Sequence, residues 1–68
     1  MDFMKSVATI YYASGKIKDM ILDDSICEEL CNWFENDYSE SKMRIESNGM
    51  IRIINKKLIC EIDTITYS

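Results

Sequence analysis

Apolar residues recur three and four apart at Ile26, Cys27, Leu30, Cys31, Trp33 and Phe34, with Glu28, Glu29, Asn32 and Glu35 between them. On a helix this spacing gives one apolar stripe and an opposite polar face. Ser25-Ile26-Cys27-Glu28 fits a capping box, with Ser25 as N-cap and Glu28 reaching back to it. The pattern predicts a helix over about residues 25–36. Glu28 and Glu29 in its first turn suit the helix dipole, whereas Glu35 and Asp37 at the far end oppose it. Asp37 to Ser41 is polar throughout and reads as a connecting loop.

The flanking segments alternate with a period of two. Val7 to Ala13 is rich in β-formers, Ser14-Gly15 turns, and Ile17 to Leu22 returns, a first hairpin. Setting Ile17 opposite Tyr11 or opposite Tyr12 gives comparable patterns, so either tyrosine can face the core. Asn48-Gly49 between apolar runs is a strong signal for a second hairpin. A two-residue loop there sets Ile45 opposite Arg52 and Arg44 opposite Ile53, mixing the faces. A three-residue loop, Ser47 to Gly49 with Gly49 left-handed, aligns Ile45 with Ile51 and Met43 with Ile53, and sets Arg44 opposite Arg52. Because a one-residue slip exposes an entire face, the three-residue loop is expected. A two-residue Asn55-Lys56 loop then extends the sheet into a meander over about 42–66. Its core face runs Met43, Ile45, Ile51, Ile53, Leu58, Cys60 and Ile62.

The predicted order is ββαβββ, a two-layer α+β fold with an antiparallel sheet and one helix on one face. The chain is expected to form a single domain over residues 1–68. One short helix covers only part of a five-stranded sheet. The open face would carry one of Tyr11 and Tyr12 with Ile54, Ile59 and Ile65, more apolar surface than a soluble monomer usually exposes. That predicts a homodimer; the alternative is that Lys and Arg stems cover those residues.

Charge sharpens the picture. Between Asp19 and Ser41 lie eight acidic residues and no basic one. The rest of the chain holds all eight Lys and Arg against four acids, so the net charge of −4 is a −8 segment beside a +4 remainder. The candidate partner-binding residues are Asp23, Asp24, Glu28, Glu29, Glu35 and Asp37. Such a field steers encounter with a basic surface. The rival face is Lys42, Arg44, Arg52 and Lys56 on the second hairpin, where a basic sheet with tyrosine nearby could hold single-stranded nucleic acid. The acidic balance of the whole chain argues against that partner.

Candidate chemistry is sparse. Histidine is absent, which removes the commonest general base and the commonest zinc ligand. Cys27, Cys31 and Cys60 offer no fourth ligand for zinc, so buried reduced thiols are expected, with no metal and no cofactor. The paired carboxylates at 23–24 and 28–29 fall at a helix start, where an exposed acidic turn is ordinary. The two glycines both lie in turns, which leaves no phosphate-cradling loop. The composition therefore argues against an enzyme. Met1 to Met4 lacks the basic n-region and apolar run of a leader, and no window reaches the roughly 20 apolar residues of a membrane span. A cytoplasmic protein is expected.

Three stretches carry a resemblance: Thr9 to Gly15, Glu29-Leu30-Cys31-Asn32-Trp33-Phe34, and Ile54 to Ile62. Together they resemble short uncharacterised proteins of phages and prophages of Gram-positive bacteria. These share no known activity, but some small acidic phage proteins inhibit host enzymes or bacterial immune systems. The resemblance implies a mobile-element inhibitor of a host defence or nucleic-acid-handling protein in the host cytoplasm. It maps no catalytic residue onto this chain.

Overall fold

The computed structural model describes residues 4–47 and 49–67, the last by its backbone alone. The order is β1 (Lys5–Tyr12), β2 (Ile17–Asp23), α1 (Asp24–Glu35), β3 (Lys42–Ser47), β4 (Met50–Asn55), a 3₁₀ turn (Lys56–Leu58) and β5 (Ile59–Tyr67). The fold is α+β with antiparallel strands and one helix packed on them. The strands divide into a three-stranded sheet, β2-β1-β5, and a separate hairpin, β3-β4.

The first hairpin takes the register with Tyr11 opposite Ile17. Tyr12 N–H donates to the Lys16 carbonyl at 2.9 Å, and Gly15 N–H donates to the Tyr12 carbonyl at 2.9 Å. Gly15 adopts φ +94°, the left-handed conformation a three-residue hairpin loop needs. The alternation along β1 follows: Ser6, Ala8, Ile10 and Tyr12 turn to the core, while Val7, Thr9 and Tyr11 turn outward. Met20 and Leu22 of β2 join the core side.

The expected meander does not form. β5 pairs with β1, from Lys5 opposite Tyr67 to Tyr12 opposite Ile59. The turn before it explains why. The Asn55 side chain accepts from Lys57 N–H at 3.0 Å, which closes a 3₁₀ turn where a two-residue hairpin loop was expected. Asn-Lys lacks the positive-φ residues such a loop prefers, and an Asx cap competes well for the backbone. Ala13 N–H then donates to the Leu58 carbonyl at 2.8 Å, docking the turn against the tip of the first hairpin.

The second hairpin also takes the other register. Ser47 lies opposite Met50, Ile45 opposite Arg52 and Arg44 opposite Ile53, so the loop is the two-residue one. Gly49 is left-handed at φ +74°, as expected; Asn48 lies outside the described residues. The three-residue loop would have supplied a broad apolar face for a meander. A lone hairpin needs only a narrow inner strip, so the local preference of Asn-Gly decides. The strip is Met43, Ile45 and Ile54, with Ile45 and Ile54 buried. Ile51, Ile53, Leu58 and Cys60, expected inside, are exposed, and Ile54 and Ile59, expected outside, are buried.

Helix α1 lays Cys27 and Leu30 into the core, with Ile26, Trp33 and Phe34 packed at its margin. It begins two residues earlier than the capping box implies, at Asp24 rather than Ile26. Asp23 takes the N-cap position without capping through its side chain, because its carboxylate pairs with Lys5 at 2.6 Å. Ser25 is left exposed within the first turn. At the far end the chain is clasped. Trp33 Nε1 donates to the Glu40 carbonyl at 2.6 Å, and Ser39 Oγ lies 2.6 Å from the Trp33 carbonyl. Lys56 Nζ donates to the Asn36 carbonyl at 2.8 Å and sits 5.1 Å from the Trp33 ring centre. A cation there offsets the negative end of the helix, which Glu35 and Asp37 aggravate.

Candidate interaction surfaces

The six acidic residues marked by the sequence fall into two groups. Asp23 and Asp24 are half-buried and serve the fold: Asp23 pairs with Lys5, and the Asp24 carboxylate accepts from the buried Ser6 hydroxyl. Glu28, Glu29, Glu35 and Asp37 are exposed. Among the described residues the sole ion pair is Lys5–Asp23, so these four carboxylates stand without a basic neighbour at salt-bridge distance. The acidic side is thus narrower than the sequence implied, and its charge is uncompensated.

The basic face comes apart. Lys42 and Arg44 point outward on β3, alongside Ile51 and Ile53 of β4. Arg52 points to the other side of the hairpin. There it lines a groove of about 300 Å³ with Met20, Ile21, Ile45 and Met50. Lys56 is held by Asn36, Ser39 and the Trp33 ring. The expected Arg44–Arg52 pair across the hairpin does not occur, because the register that would create it does not form.

The open sheet face expected from the sequence is the outer face of the three-stranded sheet; it carries Tyr11 and Ile65 as expected, but not Ile54 and Ile59, which are buried. Its rows follow from the registers: Ile21, Val7 and Ile65 in one, Asp19, Thr9 and Asp63 in the next, then Ile17, Tyr11 and Glu61. Thr9 Oγ1 donates to Asp19 at 2.7 Å. A hydrogen bond to Asp63, and the charge of that carboxylate, push the Tyr11 phenol up. Asp63 raises Glu61 in the same two ways, hydrogen bonding first. The alternation Glu61-Ile62-Asp63-Thr64-Ile65 was visible in the sequence, but its meaning depended on β1 being the partner strand.

The raised Glu61 fixes the sign of a pH effect. A carboxyl held above its unfolded value binds its proton more tightly in the folded chain. Its contribution to stability is full below the unfolded pKa and is lost as pH rises through the folded one. Glu61→Gln is therefore expected to raise the urea midpoint near pH 7 relative to the wild type, with the difference shrinking towards about pH 4. A midpoint difference that did not change with pH would show that Asp63 does not hold Glu61 up.

Cys27, Cys31 and Cys60 are free thiols, and only Cys27 is buried. Burial pushes the Cys27 thiol up, with Cys31 and then Asp24 and Asp23 adding to it and a hydrogen bond from Ser6 opposing. Among the described residues no group of three or more His, Cys, Asp or Glu is placed to hold a metal ion. Among the same residues no helix is long and apolar enough to cross a membrane. No family model, curated protein or solved structure matches the chain.

Proposed function

We propose that this chain is a non-enzymatic protein-binding module that meets a basic partner through its carboxylate-rich side. The observation that carries the reading is the set Glu28, Glu29, Glu35 and Asp37, exposed and without ion pairs among the described residues. Uncompensated charge of one sign speeds encounter with a surface of the other and rejects like-charged competitors. An inhibitor of a host defence or nucleic-acid-handling protein, carried by a phage or mobile element and acting in the cytoplasm, fits that physics. Its target would present a groove that otherwise holds nucleic acid. The rival nucleic-acid reading loses ground because Arg44 and Arg52 face opposite ways and Lys56 is engaged.

The test starts from a partner captured on the immobilised chain, with affinity then followed by calorimetry. Reversing Glu28, Glu29 and Glu35 to lysine is expected to abolish binding and leave the far-ultraviolet spectrum unchanged. Affinity should also weaken with added salt, since exposed charges are screened beyond roughly 10 Å at 0.1 M. If Arg44→Glu with Arg52→Glu removes binding while the helix reversals do nothing, the acidic reading is wrong.

A second reading, self-association, draws on the apolar row of the outer sheet face, where Ile21 is 62% and Ile65 60% exposed with Val7 between them. Light scattering at micromolar concentration should then give twice the chain mass, and Ile65→Lys should return it to one. A strict monomer would exclude this reading.

A further inference from the structure

Strand β5 is an edge. In the sheet order β2-β1-β5 its far side pairs with no other strand among the described residues. It is nine residues long and keeps unbroken register with β1 from Glu61 to Tyr67. Natural edges are usually guarded by lysine, proline, a bulge or a covering element. Ile59 to Tyr67 contains no lysine, arginine or proline, its single bulge falls at its start, where the register shifts between Tyr11 and Tyr12, and Thr64, Ile65 and Thr66 are all exposed. The opposite edge, β2, differs: the inner side of the β3-β4 hairpin stands beside it across the groove that Arg52 lines.

Acidic groups flank β5 on both faces. On the outer face Glu61 and Asp63 are two residues apart and point the same way, with Asp19 in the row of Asp63. On the inner face α1 leaves β5 partly uncovered. A groove of about 320 Å³ opens there between the start of the helix and the strand, lined by Asp24, Glu28, Cys27, Thr64 and Thr66. A strand laid along β5 would send alternate side chains to these two faces. Each face would meet a pair of carboxylates.

We infer that the β5 edge is a docking site for an extended, basic segment of a partner protein, which adds to the sheet as a fourth strand with Lys or Arg on both faces. Backbone pairing would supply affinity and the flanking carboxylates the selection of basic side chains. A second copy of β5 fits less well, because antiparallel pairing would draw Glu61 and Asp63 toward their own counterparts, and like charges across strands are destabilising. Besides the hydrogen bond with Asp63, the charge of that carboxylate holds Glu61 up, and a cation at this position would relieve that repulsion. This inference rests on the reading of the chain as an acidic binder but moves the contact to the β5 edge, keeping Glu28 of the exposed helix acids and adding Asp24, Glu61 and Asp63, while Glu35 and Asp37 lie outside it.

The probe is a peptide of about ten alternating lysine and valine residues, the length of an ordinary strand, titrated at low salt into the isotope-labelled full chain. The amide signals of Glu61 to Thr66 should shift and their hydrogen exchange should slow. The same peptide with alternate backbone nitrogens methylated keeps its charge and loses its donors, and should bind about tenfold more weakly or worse. Glu61→Lys with Asp63→Lys should weaken binding by about tenfold or more, whereas Glu35→Lys with Asp37→Lys should change it by less than about twofold.

If the methylated peptide binds equally well, strand addition is wrong and the acidic-surface reading survives. Strand addition is equally wrong if the Glu35 and Asp37 reversals weaken binding while those of Glu61 and Asp63 do not. If the amides of β5 are already protected without peptide and the chain mass is doubled, a second copy holds the edge and the inference is overturned. Failure of the unmodified peptide to bind at low salt would defeat both.

Discussion

Truncating Leu30 to alanine is expected to destabilise the fold by about 2–5 kcal/mol, the range for a large-to-small change in a packed core. Leu30 is the one helix side chain fully withdrawn from solvent. It lies in a core built from Ala8, Ile10 and Met20 of the first hairpin, Ile45 and Ile54 of the second, and Ile59. A cavity there is felt by both sheets at once. Stabilities of small domains start at about 5 kcal/mol, so the variant should be largely unfolded at ambient temperature or melt far below the wild type. Urea titration followed by circular dichroism reads the loss. A change under about 1 kcal/mol would take Leu30 out of the core.

The second large effect separates two neighbouring isoleucines. Ile54 is 7% exposed and Ile53 68%. Ile54→Ala should cost about 2–4 kcal/mol, whereas Ile53→Ala should stay within about 0.5 kcal/mol, as surface changes do. This pair is the most direct check on the hairpin register, because a one-residue slip exchanges their faces. The reverse order of effects would restore the three-residue loop and seat Ile51 and Ile53 inside.

Local features were legible in the sequence. The helix stripe of Ile26, Leu30 and Phe34 and the positions of both glycine turns rest on short-range periodicity and glycine and appear where that logic puts them, although the second loop is one residue shorter than expected. The departures in register and face share one cause. The expected register of β3-β4 suits β5 as its neighbour, and β5 pairs instead with a strand at the other end of the chain. No local pattern in Ile59 to Tyr67 names Val7 or Thr9 as partners. The difference then spreads to every side chain whose face depends on that pairing: Ile51, Ile53, Ile54, Leu58, Ile59 and Cys60. The capping box failed differently. Asp23 stands one position ahead of Asp24 and is drawn into position by Lys5, a contact between β1 and β2 that outweighs the local preference of Ser25. Among the candidate site residues, the exposed helix acids follow from the helix stripe alone, so Glu28, Glu29 and Glu35 fell where the periodicity put them. Arg44, Arg52 and Lys56 depended on register and loop packing, and there the expectation broke.

The central place of β1 governs how the chain reaches its fold. One flank of β1 is met by β2 after a three-residue loop. The other must wait for β5, which begins only after the helix and the second hairpin. Pairings between residues so far apart in sequence pay their loop entropy before any contact rewards it, and they slow folding. During synthesis the first hairpin and helix can form early, but one side of β1 stays unpaired until the last strand emerges. For that interval the nascent chain displays two open strand edges with β-rich sequence, the condition under which intermediates aggregate. Pairing with β5 covers β1 in a single late step and leaves β5 itself as the free edge on that side. A chain stalled or cut before Ile59 would therefore accumulate as a sticky partial fold, whereas one cut only beyond Tyr67 would keep the native pairing.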